Sequence, residues 1–183
     1  TVTHLEKFGA FVDIGCGIPS LLPIDTISVS RISHPRDRFV IGQKIRAVVR
    51  QTEPHRIYLT HRELLGTWEE NAAAFSAGQT VAGIIRSVES YGVFVELAPN
   101  LAGLAEPCED AVAGQCASVY IKAILPEKMK VKLILIDTFA QTDPPQPPRY
   151  FVPESQTHLD YWRYTPESSP RIIETDFRFP NSI

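Results

Sequence analysis

The sequence predicts an all-β protein: two five-stranded barrels in tandem, joined by a short helix and followed by an extended C-terminal tail. Three observations carry this reading. Matching segments recur in the same order in two halves of the chain, the mark of a duplicated unit. Apolar runs are short and bounded by turn residues, as strands are. Proline is concentrated at the end, where eight of the fifteen fall in 144–180.

The duplication rests on three matches. Residues 5–14 (LEKFGAFVDI) align with 88–97 (VESYGVFVEL). Ile41-Gly42-Gln43 aligns with Ala113-Gly114-Gln115, and in each copy a basic residue, Arg50 or Lys122, stands seven positions after the Gln. Residues 53–59 (EPHRIYL) align with 127–133 (EKMKVKL). Strands are expected near 1–5, 8–14, 20–24, 43–51 and 56–60, and again near 80–88, 91–97, 101–106, 116–124 and 129–136. Five such strands would leave exposed edges in an open sheet, and closure into a small barrel removes them. The opening strand of the first copy is short, because the counterpart of Gly83 would precede Thr1. With no Met at the start, the chain reads as a piece of a longer protein.

The expected divisions are 1–61 for the first repeat, 62–78 for the linker helix, 79–140 for the second repeat and 141–183 for the tail. Thr60 and Glu63 have the spacing of a capping box. Leu64, Trp68, Ala72 and Phe75 then form one apolar helix stripe, ended at Gly78. On that stripe Trp68 is expected to pack against a barrel. Proline spacing forbids long helices in the tail. Its apolar residues (Tyr150, Phe151, Leu159, Tyr161, Trp162, Tyr164, Ile172, Ile173, Phe177 and Phe179) suit a segment draped over the folded part, with one or two short strands.

The candidate chemistry lies in two aromatic pairs, Phe8 with Phe11 and Tyr91 with Phe94. Strand alternation turns Val93 and Val95 inward and Phe94 outward. A bulge at the intervening Gly would let both aromatics reach the surface. Two exposed rings make a base-stacking platform worth about 1–3 kcal/mol per base. The alternative is that one ring of each pair only closes the barrel end.

Composition bears on partners. The formal charge of −3 at first disfavours nucleic acid, but it is unevenly spread. Residues 1–75 hold nine basic against eight acidic side chains, 76–140 five against seven, and the tail four against six. Arg46 and Arg50 lie on the fourth strand of the first copy near Arg56 and are placed to track phosphates. Arg31, Arg36 and Arg38 are expected at the rim. In the second copy Lys122, Lys128, Lys130 and Lys132 gather near one end, with Lys130 and Lys132 on one strand face.

Other chemistries find no motif. Cys16, Cys108 and Cys116 suit neither a disulfide framework nor a zinc site, which points to a reducing cytoplasm. The histidines at 4, 34, 55, 61 and 158 lack metal-ligand spacing. No nucleophile elbow or phosphate loop is present. The expectation is a non-enzyme with no cofactor and no metal, and no stretch suits a membrane span.

The run GIIRSVESYGVFVEL, then LAGL, then Gly-Gln and a basic strand, resembles the RNA-binding repeat of ribosomal protein S-one, an OB-fold barrel. The resemblance covers roughly 1–60 and 79–137. With the linker and tail, the whole is similar to a clostridial-type group of tandem-repeat proteins. It implies that Phe8, Phe11, Tyr91 and Phe94 stack on bases and that Arg56 and Lys130 contact phosphates. Glu53 and Glu127 match the family's acid only approximately. The family's third-strand His is absent, with Pro23 and Glu106 in its place; Glu106 would repel phosphate, which implies weak or selective binding.

The function expected is non-catalytic binding of single-stranded RNA, mRNA or rRNA, in translation or RNA metabolism, by a monomer. Its site would be Phe8, Phe11, Arg46, Arg50, Arg56, Tyr91, Phe94, Lys122 and Lys130. The alternatives are a module anchoring a larger protein to the ribosome or to RNA-processing proteins, and an accessory domain of an RNA-processing enzyme.

Overall fold

The computed structural model describes residues 1–178, so the expected packing of Phe179 lies outside the described residues. In chain order the strands are β1 (Val2–Glu6), β2 (Gly9–Val12), β3 (Ser20–Pro23), β4 (Val48–Glu53), β5 (Arg56–Thr60), β6 (Thr80–Glu89), β7 (Gly92–Ala98), β8 (Leu101–Ala105), β9 (Cys116–Leu125), β10 (Lys130–Phe139), β11 (Tyr161–Arg163) and β12 (Glu174–Asp176). A single short α-helix, α1 (Trp68–Ala72), is described. Two compact units emerge. The first joins Thr1–Gly66 to Pro144–Arg163 and to the chain from Glu174 onward; the second joins Thr67–Asp143 to Tyr164–Ile173.

The second unit is a closed barrel in the order β10-β8-β7-β6-β9, in which β8 and β10 run parallel. Alternation fills its interior: Ala117, Val119 and Ile121 point inward from β9, Val93 and Val95 from β7, and Ile85 from β6, all fully buried. Burying such side chains contributes about 1.5–3 kcal/mol for each large aliphatic one. Inside the wall, Arg86 donates to the buried Glu96 carboxylate at 3.0 Å.

The first unit has the same strand order, β1-β2-β3-β5-β4, but its sheet stays open. The reason is visible in the other copy. There β6 pairs with β9 through residues 80–84, and the counterparts of these would fall before and at Thr1. What remains is closed by a shared turn. Val2 N–H donates to the Gln43 carbonyl at 2.9 Å and Gly42 N–H to the Val2 carbonyl at 2.8 Å. In the second unit Ile85, Gln115 and Gly114 make the same two bonds at 2.9 and 2.7 Å. Gly42 and Gly114 sit at φ 89° and 94°, left-handed conformations that favour glycine. The side-chain oxygens of Gln43 and Gln115 accept the amides of Val40 and Val112 at 3.0 and 2.9 Å. The repeated Gly-Gln pair is therefore a turn that docks on the first strand of its own unit. Phe39, Leu22, Ile27 and Leu59 centre the core beneath it.

The linker differs from the helix expected over 62–78. Residues Arg62–Leu65 form a 3₁₀ turn, Gly66 breaks it at φ 89°, and α1 follows. Thr60 does not cap a helix: its hydroxyl donates to the buried Glu63 carboxylate. The capping box is made by Thr67 and Glu70 instead. The apolar stripe thus serves two cores, Leu64 in the first unit and Trp68, only 3% exposed, in the second.

The tail is divided between the units rather than lying apart. In the first, β11 pairs with β12, Trp162 is buried and Tyr150, Phe151, Leu159 and Phe177 are half-buried. In the second, Tyr164 is buried and its hydroxyl donates to the Asn100 carbonyl, while its own carbonyl accepts from Trp68 N–H at 3.1 Å. Tyr161 and Ile172 stay exposed, against the expectation of burial.

Candidate nucleic-acid interface

The aromatic pairs reach the surface by a route other than a bulge at glycine. Glu6 pairs with Gly9 and Glu89 with Gly92, so Phe8 and Tyr91 occupy the turns of two tight hairpins. The ladder bulges elsewhere, at Thr3 and Arg86. Glycine is needed for a different reason: a Cβ on Gly9 would lie 2.5 Å from the Leu22 carbonyl oxygen, and one on Gly92 2.5 Å from that of Ala105. The turn ring then leans on the strand ring. Phe8 and Phe11 meet edge-on with centroids 5.9 Å apart, and Tyr91 and Phe94 at 6.0 Å. Phe8 and Tyr91 are 57% and 63% exposed while their partners are half-buried. One ring of each pair, Phe8 and Tyr91, is therefore open to solvent.

In the second unit the pair opens on a groove of about 820 Å³ that runs over β8 and β10. Lys122, Lys130 and Lys132 line it, with Leu104 on β8 and Glu106 just past that strand's end. Lys130 and Lys132 both face outward because the buried Val131 separates them. Lys122 arrives by a β-bulge: Lys132 pairs with Ala123 and Leu133 with Ile121, which leaves Lys122 as the extra residue. Bulges re-aim side chains, and the same device recurs at Arg50, left over between the Val49–Leu59 and Gln51–Tyr58 pairs. The basic residue seven positions after each Gln is thus a bulge residue. Four of the nine sequence-predicted site residues (Tyr91, Phe94, Lys122 and Lys130) come together here. Glu127 and Lys128 lie on the 3₁₀ turn Pro126–Lys128, outside the lining.

The first unit is arranged differently. Arg56 is exposed, but the two other arginines are taken up by the tail. Arg46 donates to the carbonyls of Val152 at 2.5 Å and Pro153 at 3.2 Å and stacks over Tyr150. Arg50 donates to the Asp176 carbonyl at 3.3 Å and stands over the Phe177 ring. A tail rich in carbonyls and aromatic faces thus engages both guanidinium groups. Arg38 is likewise no rim residue, being 4% exposed and bonded to the Ser28 hydroxyl at 2.9 Å, whereas Arg31 and Arg36 are exposed. A smaller groove of about 540 Å³ flanks Phe11 on the His4 side.

Buried titratable groups of the first unit are structural. His61 is fully buried and its pKa falls to about 4, first because burial penalises the cation. Burial also raises the Glu63 carboxyl, against the opposing Thr60 hydrogen bond. Among the described residues no His, Cys, Asp or Glu cluster suits a metal, and all three cysteines are free.

Sequence reading did not single out Leu104, Met129 or Cys108 as groove lining. Leu104 had a signal, since it pairs with Phe94 and so must face outward. Met129 adopts a left-handed φ of 51° that nothing in its residue type announces, and Cys108 carried no signal.

Comparison with known proteins agrees with this geometry. Residues 1–62 match the family model described as S1 RNA binding domain. Small ribosomal subunit protein bS1 of Leuconostoc lactis is 31% identical over 147 residues, covering 73% of this chain and 34% of that protein. The protein of the same name from Rhizobium meliloti (strain 1021) is 28% identical over 183 residues, 98% of this chain and 31% of the relative. That of Staphylococcus aureus (strain COL) is 32% identical over 158 residues, 78% of this chain and 40% of the relative. The chain therefore spans between 31% and 40% of the length of these relatives. On the matching family model, the relatives and the aromatic hairpin together, residues 1–62 carry a repeat of the S1 RNA-binding type, and the second unit repeats its strand order and ring pair.

Proposed function

We propose that the chain binds single-stranded RNA without catalysis, through two tandem repeats joined by the α1 segment, acting in translation in the cytoplasm. The observation that carries this is the groove of the second barrel, where the Tyr91–Phe94 ring pair and three lysines line one surface. Bases stack on Tyr91 and Phe94, at about 1–3 kcal/mol each, while Lys122, Lys130 and Lys132 face the phosphates. Phe8, Phe11 and Arg56 form a lesser site in the first unit, since the tail holds Arg46 and Arg50. The curated relatives are ribosomal proteins, which supports mRNA or rRNA as the ligand and the ribosome as a partner. In this reading the chain is a monomer.

Exposed Ile134, Ile136 and Phe139 on β10 favour a second reading, an anchoring module for a protein partner. Salt dependence separates the two. Each phosphate neutralised on a single strand contributes a slope of about −0.7 in log K against log salt, so about two to four contacts give roughly −1.4 to −2.8. Anisotropy titration of a labelled uridine oligomer over a salt series checks this. The absence of RNA binding, or a slope far steeper than that range, contradicts the groove as drawn.

A further inference from the structure

We propose that Glu106 makes the groove of the second barrel selective for guanine, its carboxylate accepting the paired N1–H and N2–H donors of the base edge. This rests on the RNA-binding reading above and names the base that the same site selects.

Register places the carboxylate. Phe94 pairs with Leu104 and Val93 with Ala105, so the next step of the antiparallel ladder sets Glu106 beside Gly92. The first unit shows that step directly, with Gly9 paired to Pro23, the counterpart of Glu106. Leu104 and Glu106 are exposed on either side of the buried Ala105, so both stand on the face that carries Phe94. The Leu104 side chain packs over Gly92 between them, and Tyr91, Phe94 and Glu106 all line one groove.

Chemistry selects the base. An ionised carboxylate only accepts, through two oxygens side by side. Guanine alone presents two adjacent donors on its Watson–Crick edge. Uracil sets its single N3–H between two carbonyls, which a carboxylate repels. Cytosine and adenine each set one amino group beside an accepting ring nitrogen. Lys122, Lys130 and Lys132 line the same groove and supply cations for the phosphates. Pro23 has no acceptor side chain, so the selectivity belongs to the second barrel alone.

The test uses the full chain carrying Phe8→Ala and Phe11→Ala, which silences the first site. Affinities for an alternating guanosine–uridine oligomer and a uridine oligomer of equal length are compared by anisotropy. A bidentate pair is worth about 1–3 kcal/mol of discrimination, so the guanosine-containing strand is expected to bind at least about fivefold more tightly. Glu106→Gln, on an exposed side chain, is expected to abolish that ratio and to strengthen uridine binding, because the charge that repels the uracil carbonyls is gone. Inosine in place of guanosine, which lacks the N2 amino group, is expected to weaken binding to the Glu106 protein only. Equal affinities for both strands, or a ratio that survives Glu106→Gln, overturns guanine selectivity and leaves RNA binding standing. Failure to bind either strand overturns both.

Discussion

The hydroxyl of Tyr150 bridges two groups of the first unit, the His61 ring and the Arg46 backbone amide. The Ile27 carbonyl, 2.7 Å from His61 Nδ1, can only accept, so Nδ1 carries the proton and Nε2 is the acceptor. Tyr150 donates to that Nε2 at 3.0 Å and accepts the Arg46 amide, also at 3.0 Å. One hydroxyl thus satisfies a core ring and the backbone amide of Arg46 at once. Tyr150→Phe leaves both without a partner, and chemical denaturation is expected to show a loss of about 1–3 kcal/mol. The buried ring also has a pH signature. His61 is held neutral with a pKa near 4 against the ordinary 6.5, so between those values the unfolded chain binds a proton that the native state refuses. Its contribution to stability is full above 6.5 and falls as pH drops towards 4, by about 3 kcal/mol in all. Glu63 acts in the opposite sense, because its raised carboxyl takes up a proton more readily when folded. An NMR titration isolates the histidine: its ring protons are expected to shift near pH 4, and a midpoint near 6.5 contradicts the buried, neutral assignment.

At the scale of elements, the aromatic hairpins depend on close approach of the neighbouring strand. Gly92→Ala forces a methyl group to 2.5 Å from the Ala105 oxygen, a backbone atom that cannot swing aside. Overpacking of this kind costs about 1–3 kcal/mol. Thermal denaturation is expected to show that loss for Gly92→Ala and equally for Gly9→Ala, where Leu22 supplies the oxygen. These hairpins were legible in sequence because aromatic, Gly, small residue and Phe recur at one spacing. The means of exposure was not, since whether Tyr91 belongs to a strand or a turn is decided by register, and alternation alone leaves a one-residue ambiguity. The linker was misread for a related reason. Leu64 and Trp68 have helical spacing, but Gly66 between them marks where the chain passes from one core to the next. Periodicity records that residues are buried, not in which core.

Across the whole molecule, two copies of one ladder carry two different surfaces. Strand order, the Gly-Gln turn, the bulged basic residue and the ring pair are common to both, and all follow from the repeated sequence. The differences come from segments without a counterpart in the repeat. Tail residues 150, 152, 153, 176 and 177 engage Arg46 and Arg50, a contact across more than 100 positions that no local pattern announces. The second barrel keeps its lysines exposed. The net charge of −3 is compatible with RNA binding, because the groove concentrates three of the cations beside the rings. In the proposed site the ring pairs hold the bases. Phe11→Ala combined with Phe94→Ala removes one half-buried ring from each pair while leaving both glycine crossings and every lysine in place. Binding of a uridine oligomer to this double variant, with circular dichroism confirming the fold, is the most direct measurement. Affinity is expected to fall about tenfold or more, and an unchanged Kd in a folded protein contradicts the stacking site.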